Sequence, residues 1–349
     1  MSRNPLADDL DAIVQIVSPH WELLRGQQLF ITGGTGFIGT WLLESFTWAN
    51  DTLALNAHAT VLTRNPAAFR HKAQHLADHA SISLLEGSVT SFRDDDAARY
   101  DLVIHGAAES STKLNDERPL GMIEAVVDGT RRVLDFAVER GARRLLFLSS
   151  GAVYGRQPTN VERMAEDFNG GPDVSLPRSA YAEAKRLAEL LCHCVAREQP
   201  LEVMIARCFA FVGPYLPLDV HFAAGNFIRD GLAGGPIRVN GDGSPRRTYL
   251  YAADLAAWLW TILLRGAPGG VYNVGSESEV SIRELAHAVQ TQFEPPPEVQ
   301  IAKPETPGAP PERYTPSTVR AREELGLRET VPLAEALAKT IAWHRTPRA

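Results

Sequence analysis

The sequence predicts an α/β fold, a doubly wound parallel sheet with a smaller C-terminal lobe. Three observations predict it. Short apolar runs alternate with amphipathic runs over the first ~205 residues. The first apolar run ends in a glycine-rich turn that opens a helix. Beyond Arg207 the alternation stops, and glycine and proline become frequent.

Each element follows from its pattern. Residues 8–24 carry Leu10, Ile13, Val14, Val17, Trp21 and Leu24 at helical spacing, which predicts a helix before the first strand. The run Leu29-Phe30-Ile31-Thr32 is that strand. Gly33, Gly36 and Gly39 follow, and Trp41, Leu42, Leu43 and Phe46 begin a helix. The first glycine permits a turn that a Cβ would block. The second lets the backbone approach a pyrophosphate, and the third lets helix and strand pack closely. Free N–H groups of the new helix would hold the phosphates. This is the Rossmann-type context in which such a glycine pattern signals a dinucleotide.

Further strands are expected at 59–63, 82–85, 102–108, 145–148 and 203–206. Helices are expected at 119–140, stopped by Gly141, and at 181–197. Gly213-Pro214, Gly234-Gly235-Pro236 and Gly241-Asp242-Gly243 mark a second lobe. An apolar helix at 253–264 and a strand at 271–274 are expected to return to the first lobe. The proline-rich stretch 294–311 reads as a surface connection, and 333–344 as a last amphipathic helix. The expected nucleotide domain is therefore 1–206 plus about 247–276, and the substrate lobe is about 207–246 plus 277–349.

The 349 residues carry a net charge of −7, which argues against general nucleic-acid binding. No run approaches the ~18 apolar residues of a membrane span. The polar, acidic start is unlike a signal peptide, and Cys192, Cys194 and Cys208 cannot build a disulfide framework. A cytoplasmic enzyme is expected.

Ligands of open α/β sheets bind beyond the carboxyl ends of the strands. The glycine turn, Ser149-Ser150 and the small residues after strand four share that edge. Tyr181 and Lys185, four apart, share a helix face. A neighbouring ammonium favours the phenolate, and a tuned phenol can exchange a proton with a sugar hydroxyl while hydride moves to or from nicotinamide.

With these pieces in place, the chain resembles the extended short-chain dehydrogenase/reductase family, in its nucleotide-sugar epimerase/dehydratase branch. The matching segments are 32–39, 103–108, 148–155, 181–185, 207–214, 247–254 and 272–275, in family order. The resemblance implies a catalytic triad of Ser150, Tyr181 and Lys185. Tyr181 would be the acid/base, Lys185 would bind the nicotinamide ribose, and Ser150 would hydrogen-bond the reacting oxygen. It implies a cofactor held by Gly33, Thr35, Gly36, Phe37, Ile38, Gly39, Thr63, Arg64, Ser88, Ala107 and Ala108, together with Tyr181 and Lys185. It implies a nucleoside-diphosphate sugar touched by Ser150, Gly151, Tyr181, His221, Asn226 and Arg247, with Arg247 gripping the diphosphate. It also suggests a homodimer built from the helices at about 119–140 and 181–197, and a role in polysaccharide or glycosylated-metabolite synthesis.

Departures from the pattern narrow the reaction. Dehydratases and decarboxylases of this branch place carboxylates where this chain has Gly151 and Ala152. Epimerisation at C4 is therefore preferred. Reduction of a 4-keto sugar is the alternative, 4,6-dehydration and decarboxylation rank lower, and a catalytically idle relative ranks last. Ser88, Val126 and Ala210 stand where the family has acidic or amide residues. Strand two ends in Thr63-Arg64-Asn65 without the carboxylate that would hold the ribose of NAD, so Arg64 points to NADP, with NAD the alternative.

Other features are set aside. His71, His75 and His79 would line one helix face, but no further ligand accompanies them, so no metal is expected. Cys192 and Cys194 lie within a helix and point different ways. Asp94-Asp95-Asp96 reads as a solvated loop or helix start, and Trp258 and Trp260 read as core.

Overall fold

The computed structural model describes residues 4–94, 98–107, 112–220 and 222–346, with the backbone alone for 112–114. The chain divides into two units. The first comprises Met1–Val153, Gly171–Arg207 and Ala256–Tyr272; the second comprises Tyr154–Gly170, Cys208–Leu255 and Asn273–Ala349.

The first unit is built on strands β1 (Gln28–Thr32), β2 (His58–Thr63), β3 (Ile82–Glu86), β4 (Leu102–His105), β5 (Arg144–Ser150) and β6 (Glu202–Cys208). With the Val271–Val274 strand they form a seven-stranded sheet, ordered β3-β2-β1-β4-β5-β6 and then Val271–Val274. The pairings β2–β3, β1–β2, β1–β4 and β4–β5 are parallel. The order reverses between β1 and β4, so both turns leaving these strands open at the same edge. β4 is buried throughout, as a strand covered on both faces must be.

Its helices are α1 (Ala7–Val17), α2 (Phe37–Thr52), α3 (Pro66–Lys72), α4 (Gln74–Ala77), α5 (Thr112–Glu117), α6 (Pro119–Glu139) and α7 (Ala180–Glu198). One core cluster packs Phe30 of β1 against Phe136 of α6, with ring centroids 4.6 Å apart, and adds Phe92 and Tyr100. Burying each such ring is worth about 1.5–3 kcal/mol. Trp258 and Trp260 are buried core residues. Trp260 packs on Trp21, and its Nε1 donates to Ser45 Oγ at 2.8 Å.

Two expected helices are broken. The 8–24 run splits into α1 and a 3-10 turn, His20–Leu24, because Pro19 cannot continue the ladder. The His71–His75–His79 stripe is interrupted at Ala73, whose φ of −149° separates α3 from α4. His75 instead bonds Glu44 at 2.7 Å, and His79 bonds Ser81 and Asp51. Among the described residues no three metal-ligating side chains gather. No described helix is long and apolar enough to cross a membrane. Cys192 is buried and Cys194 exposed. Tyr100 Oη donates to Asp94, while Asp95 and Asp96 lie outside the described residues.

In the second unit, Arg246–Thr248 pairs antiparallel with Glu279–Ser281 and parallel with Arg313–Tyr314. The Ile282–Gln290 helix starts at a capping box made by Ser281 and Glu284. The 294–311 stretch, expected as a surface connection, contains the Val299–Ile301 strand, which pairs parallel with Ile237–Val239. Asp254 accepts from Thr330 N, Thr330 Oγ1 and Val331 N, tying the segment before the last helix, Leu333–Arg345.

Candidate cofactor and catalytic site

The turn from β1 to α2 is fixed by close backbone approach. Gly33 has φ +75°, and a Cβ there would stand 2.5 Å from the carbonyl carbon of Gly106. A Cβ on Gly39 would stand 2.3 Å from Gly33 O, so that position lets the first helical turn close on the loop. A Cβ on Gly36 would meet only Gly33 O, at 3.4 Å. Phe37, Ile38 and Gly39 form the first turn of α2, with their N–H groups at its amino end.

Behind the turn lies a buried polar network. Thr130 Oγ1 donates to Val126 O at 2.6 Å, so it accepts from His105 Nε2 at 3.0 Å. His105 Nδ1 then accepts from Thr32 Oγ1 at 2.8 Å, and Thr32 Oγ1 accepts from Ala107 N at 3.1 Å. Burial, with the Lys185 charge second, pushes the His105 pKa down to about 3. A neutral imidazole thus joins β1, β4 and α6 beneath the glycine turn.

In front of the turn is a cleft of about 480 Å³. It is lined by Gly33, Thr35 and Gly36 of the turn, Thr63 and Arg64 at the end of β2, Ser88 and its neighbours after β3, and Ala107 after β4. Arg118, just before α6, and Gly121, Glu124 and Ala125 in its first turns complete the lining. The volume suits part of a dinucleotide. The cradle that a Cβ would fill and the open amino end of α2 suit its diphosphate. The residues present therefore fit a bound dinucleotide. Sequence reasoning missed the α6 wall; its signal was Gly121 and Ala125, small residues four apart after the helix-opening Pro119. Ala108 lies outside the described residues.

Ser150 ends β5, and its Oγ accepts from Ala152 N at 3.2 Å in the 3-10 turn Gly151–Tyr154. Tyr181 and Lys185 occupy the first two turns of α7. Asn115 pins that end: its Oδ1 accepts from Tyr181 N at 3.0 Å and its Nδ2 donates to Arg178 O at 2.9 Å. Lys185 is buried, donates to Leu148 O at 2.7 Å, and has its ammonium 4.6 Å from the Phe147 ring centre. One turn on, buried Glu189 accepts from Ser149 Oγ at 2.5 Å and from Arg207 Nε and Nη2. These contacts bolt α7 to the carboxyl end of β5, so one strand end and one helix carry all three expected catalytic side chains.

The expected substrate residues of the second unit are engaged locally. Arg247 Nη2 donates to Glu312 Oε1 at 2.5 Å, and Asn226 Oδ1 accepts from Arg229 Nη1 at 3.2 Å. His221 lies outside the described residues.

Comparison with known proteins agrees with this architecture. Residues 29–275 match the model of the NAD dependent epimerase/dehydratase family. The chain belongs to the NAD-dependent epimerase/dehydratase family. Among curated relatives of this family member, UDP-glucuronic acid decarboxylase 1 of Danio rerio is 29% identical, over 91% of this chain and 72% of that protein. A dTDP-glucose 4,6-dehydratase of Streptomyces niveus is 26% identical, over 92% of this chain and 94% of that one. The solved UDP-glucose 4-epimerase of Thermotoga maritima, holding UDP-glucose, superposes with a TM-score of 0.77 at 21% identity, covering 91% of this chain and 98% of that one. The NAD-bound dTDP-glucose 4,6-dehydratase of Streptomyces venezuelae gives 0.76 at 26% identity, covering 91% and 97%. Epimerases, decarboxylases and dehydratases thus share this family and fold.

Proposed function

We propose that the chain is an NAD(P)-dependent nucleotide-sugar epimerase acting at a sugar carbon, C4, through a keto intermediate. The observation that carries this reading is the strand end Ser150-Gly151-Ala152, facing chemistry with hydroxyls and an ammonium but no carboxylate of its own. 4,6-Dehydration removes the C5 proton and expels the C6 hydroxyl, which needs an added acid and base there. Glu189, the carboxylate that does bond this strand end, is committed to Arg207 and Ser149.

Tyr181 Oη takes the proton of the sugar hydroxyl and later returns it. Ser150 Oγ hydrogen-bonds the same oxygen and orients it. Lys185 lowers the cost of the phenolate by its charge. Gly33, Gly36 and the amino end of α2 hold the dinucleotide diphosphate. Hydride acceptance and return are the chemistry that a bound nicotinamide supplies. Arg247 grips the diphosphate of the substrate, a task suited to a guanidinium fork.

Arg64 favours a second reading, an NADPH-dependent reductase of a 4-keto sugar, because a guanidinium at the end of β2 suits a 2′-phosphate. Incubation with a panel of nucleotide sugars separates the two. An epimerase interconverts sugars with no net absorbance change near about 340 nm, whereas stoichiometric loss of NADPH absorbance makes it a reductase. Identifying the cofactor and sugar nucleotide that co-purify supplies the substrate for that assay.

A homodimer is part of the proposal. The α6 and α7 helices expose Leu120 (74%), Ile123 (37%), Leu187 (43%) and Leu190 (57%), apolar surface that a second copy would cover.

A further inference from the structure

The helix that carries Tyr181 and Lys185 does not cap itself. α7 opens straight out of the 3-10 turn Pro177–Ser179, so Ser179, the residue before it, already has helical backbone angles, φ −78° and ψ −5°. A side chain caps its own helix from an extended backbone, which aims its oxygen at the free N–H groups of the first turn. Ser179 makes no such bond, and its Oγ donates instead to Asp173 O at 2.7 Å. The acceptor comes from a distant element. Asn115, 66 positions upstream, accepts from Tyr181 N with its Oδ1. Tyr181 is the second residue of α7, a position whose N–H a capping side chain normally takes. The same carboxamide donates from Nδ2 to Arg178 O, so both of its ends are used.

Asn115 belongs to α5, which packs on that 3-10 turn and runs at once into α6. It stands outside the lining of the cofactor cleft, but Arg118, three residues on, lines it, followed by Gly121, Glu124 and Ala125. One short segment, 115–125, therefore carries both the cap of α7 and one side of the cofactor cleft. An uncapped first turn frays, and Tyr181 would move with it. Lys185, a turn further in and bonded to Leu148 O, would stay.

We propose that Asn115 is a positioning residue for Tyr181: it caps α7 from the segment that borders the cofactor, and so keeps the phenol in register with the dinucleotide. The proposal rests on the reading of Tyr181 as acid/base and adds the group that holds it in place.

The test compares the full-length protein with Asn115→Ala, Asn115→Asp and Ser179→Ala, each shown to be folded by thermal unfolding. Amide hydrogen exchange over residues 180–184 reads the cap without any substrate. Asn115→Ala should speed it by about fivefold or more. Asn115→Asp keeps an acceptor at the helix amino end and should restore it to within about twofold of the parent. Ser179→Ala should leave it unchanged. With the sugar nucleotide turned over in the panel above, Asn115→Ala should lower kcat by about tenfold or more while KM and NAD(P)H affinity change by less than about twofold. Asn115→Asp should recover most of that kcat. Unchanged exchange in Asn115→Ala, or fast exchange with kcat intact, overturns the proposal. Weaker NAD(P)H binding that accounts for the whole loss overturns it too, since Asn115 would then be a brace of the cleft. If the parent turns over no sugar nucleotide, the acid/base reading of Tyr181 falls and the positioning role with it, while the exchange data still decide whether Asn115 is the cap.

Discussion

Tyr181 enters α7 with its backbone N–H held by Asn115, so the phenol starts from a fixed helix end rather than a fraying one. In the proposed mechanism it moves the only proton of the redox step. Tyr181→Phe should lower turnover by about 10²–10⁴-fold while NAD(P)H binding persists. Unchanged turnover in a steady-state assay would exclude the phenol as acid/base. His105 makes a second residue-scale prediction. Its folded pKa of about 3 lies below the ordinary value of 6.5, so the unfolded chain binds the extra proton first. Its contribution is complete above about pH 6.5 and is lost as pH falls towards about 3, at up to about 1.4 kcal/mol per pH unit. Urea unfolding at several pH values should show a shallower acid decline for His105→Gln than for the parent; parallel declines would mean that another group sets the acid limit.

At the scale of elements, the glycine turn is the least forgiving. Gly33→Ala combines a left-handed φ, costing about 1–2 kcal/mol, with overlap against the Gly106 carbonyl. Lower unfolding stability and at least a tenfold loss of NAD(P)H affinity are expected, about 1.4 kcal/mol or more in binding. A variant that binds as tightly as the parent would show that the turn can shift without consequence. This turn was legible because each glycine answers a local need. The strands and α6 and α7 were legible for a similar reason, since alternating apolar runs report directly on burial. The breaks at Pro19 and Ala73 show where periodicity overran the backbone: Pro19 was readable as a stop, whereas nothing in the Ala73 side chain foretells its φ of −149°. The Ile282–Gln290 helix, absent from the expected elements, had a legible signal in its Ser281–Glu284 box. Tertiary pairs such as His105 with Thr32 and Thr130, or Lys72 with Thr35, have no signature in local spacing, because the partners lie 25 to 73 positions apart.

At the scale of the whole molecule, the exposed leucines of α6 and α7 predict association. Sedimentation velocity at micromolar concentration should give a dimer for the parent and a monomer for Leu187→Glu/Leu190→Glu; a monomeric parent would end the dimer proposal. The route of the chain has another consequence. The first unit is gathered from three separate stretches, and the Val271–Val274 strand beside β6 comes last. During synthesis, β6 must therefore wait for more than sixty further residues before its outer edge is paired. An amino-terminal fragment ending near Arg207 keeps the glycine turn but leaves a bare strand edge, the kind of template on which nascent chains aggregate. Emergence of the Val271–Val274 strand, rather than completion of the nucleotide-binding turn, is the moment at which this edge becomes safe from its neighbours.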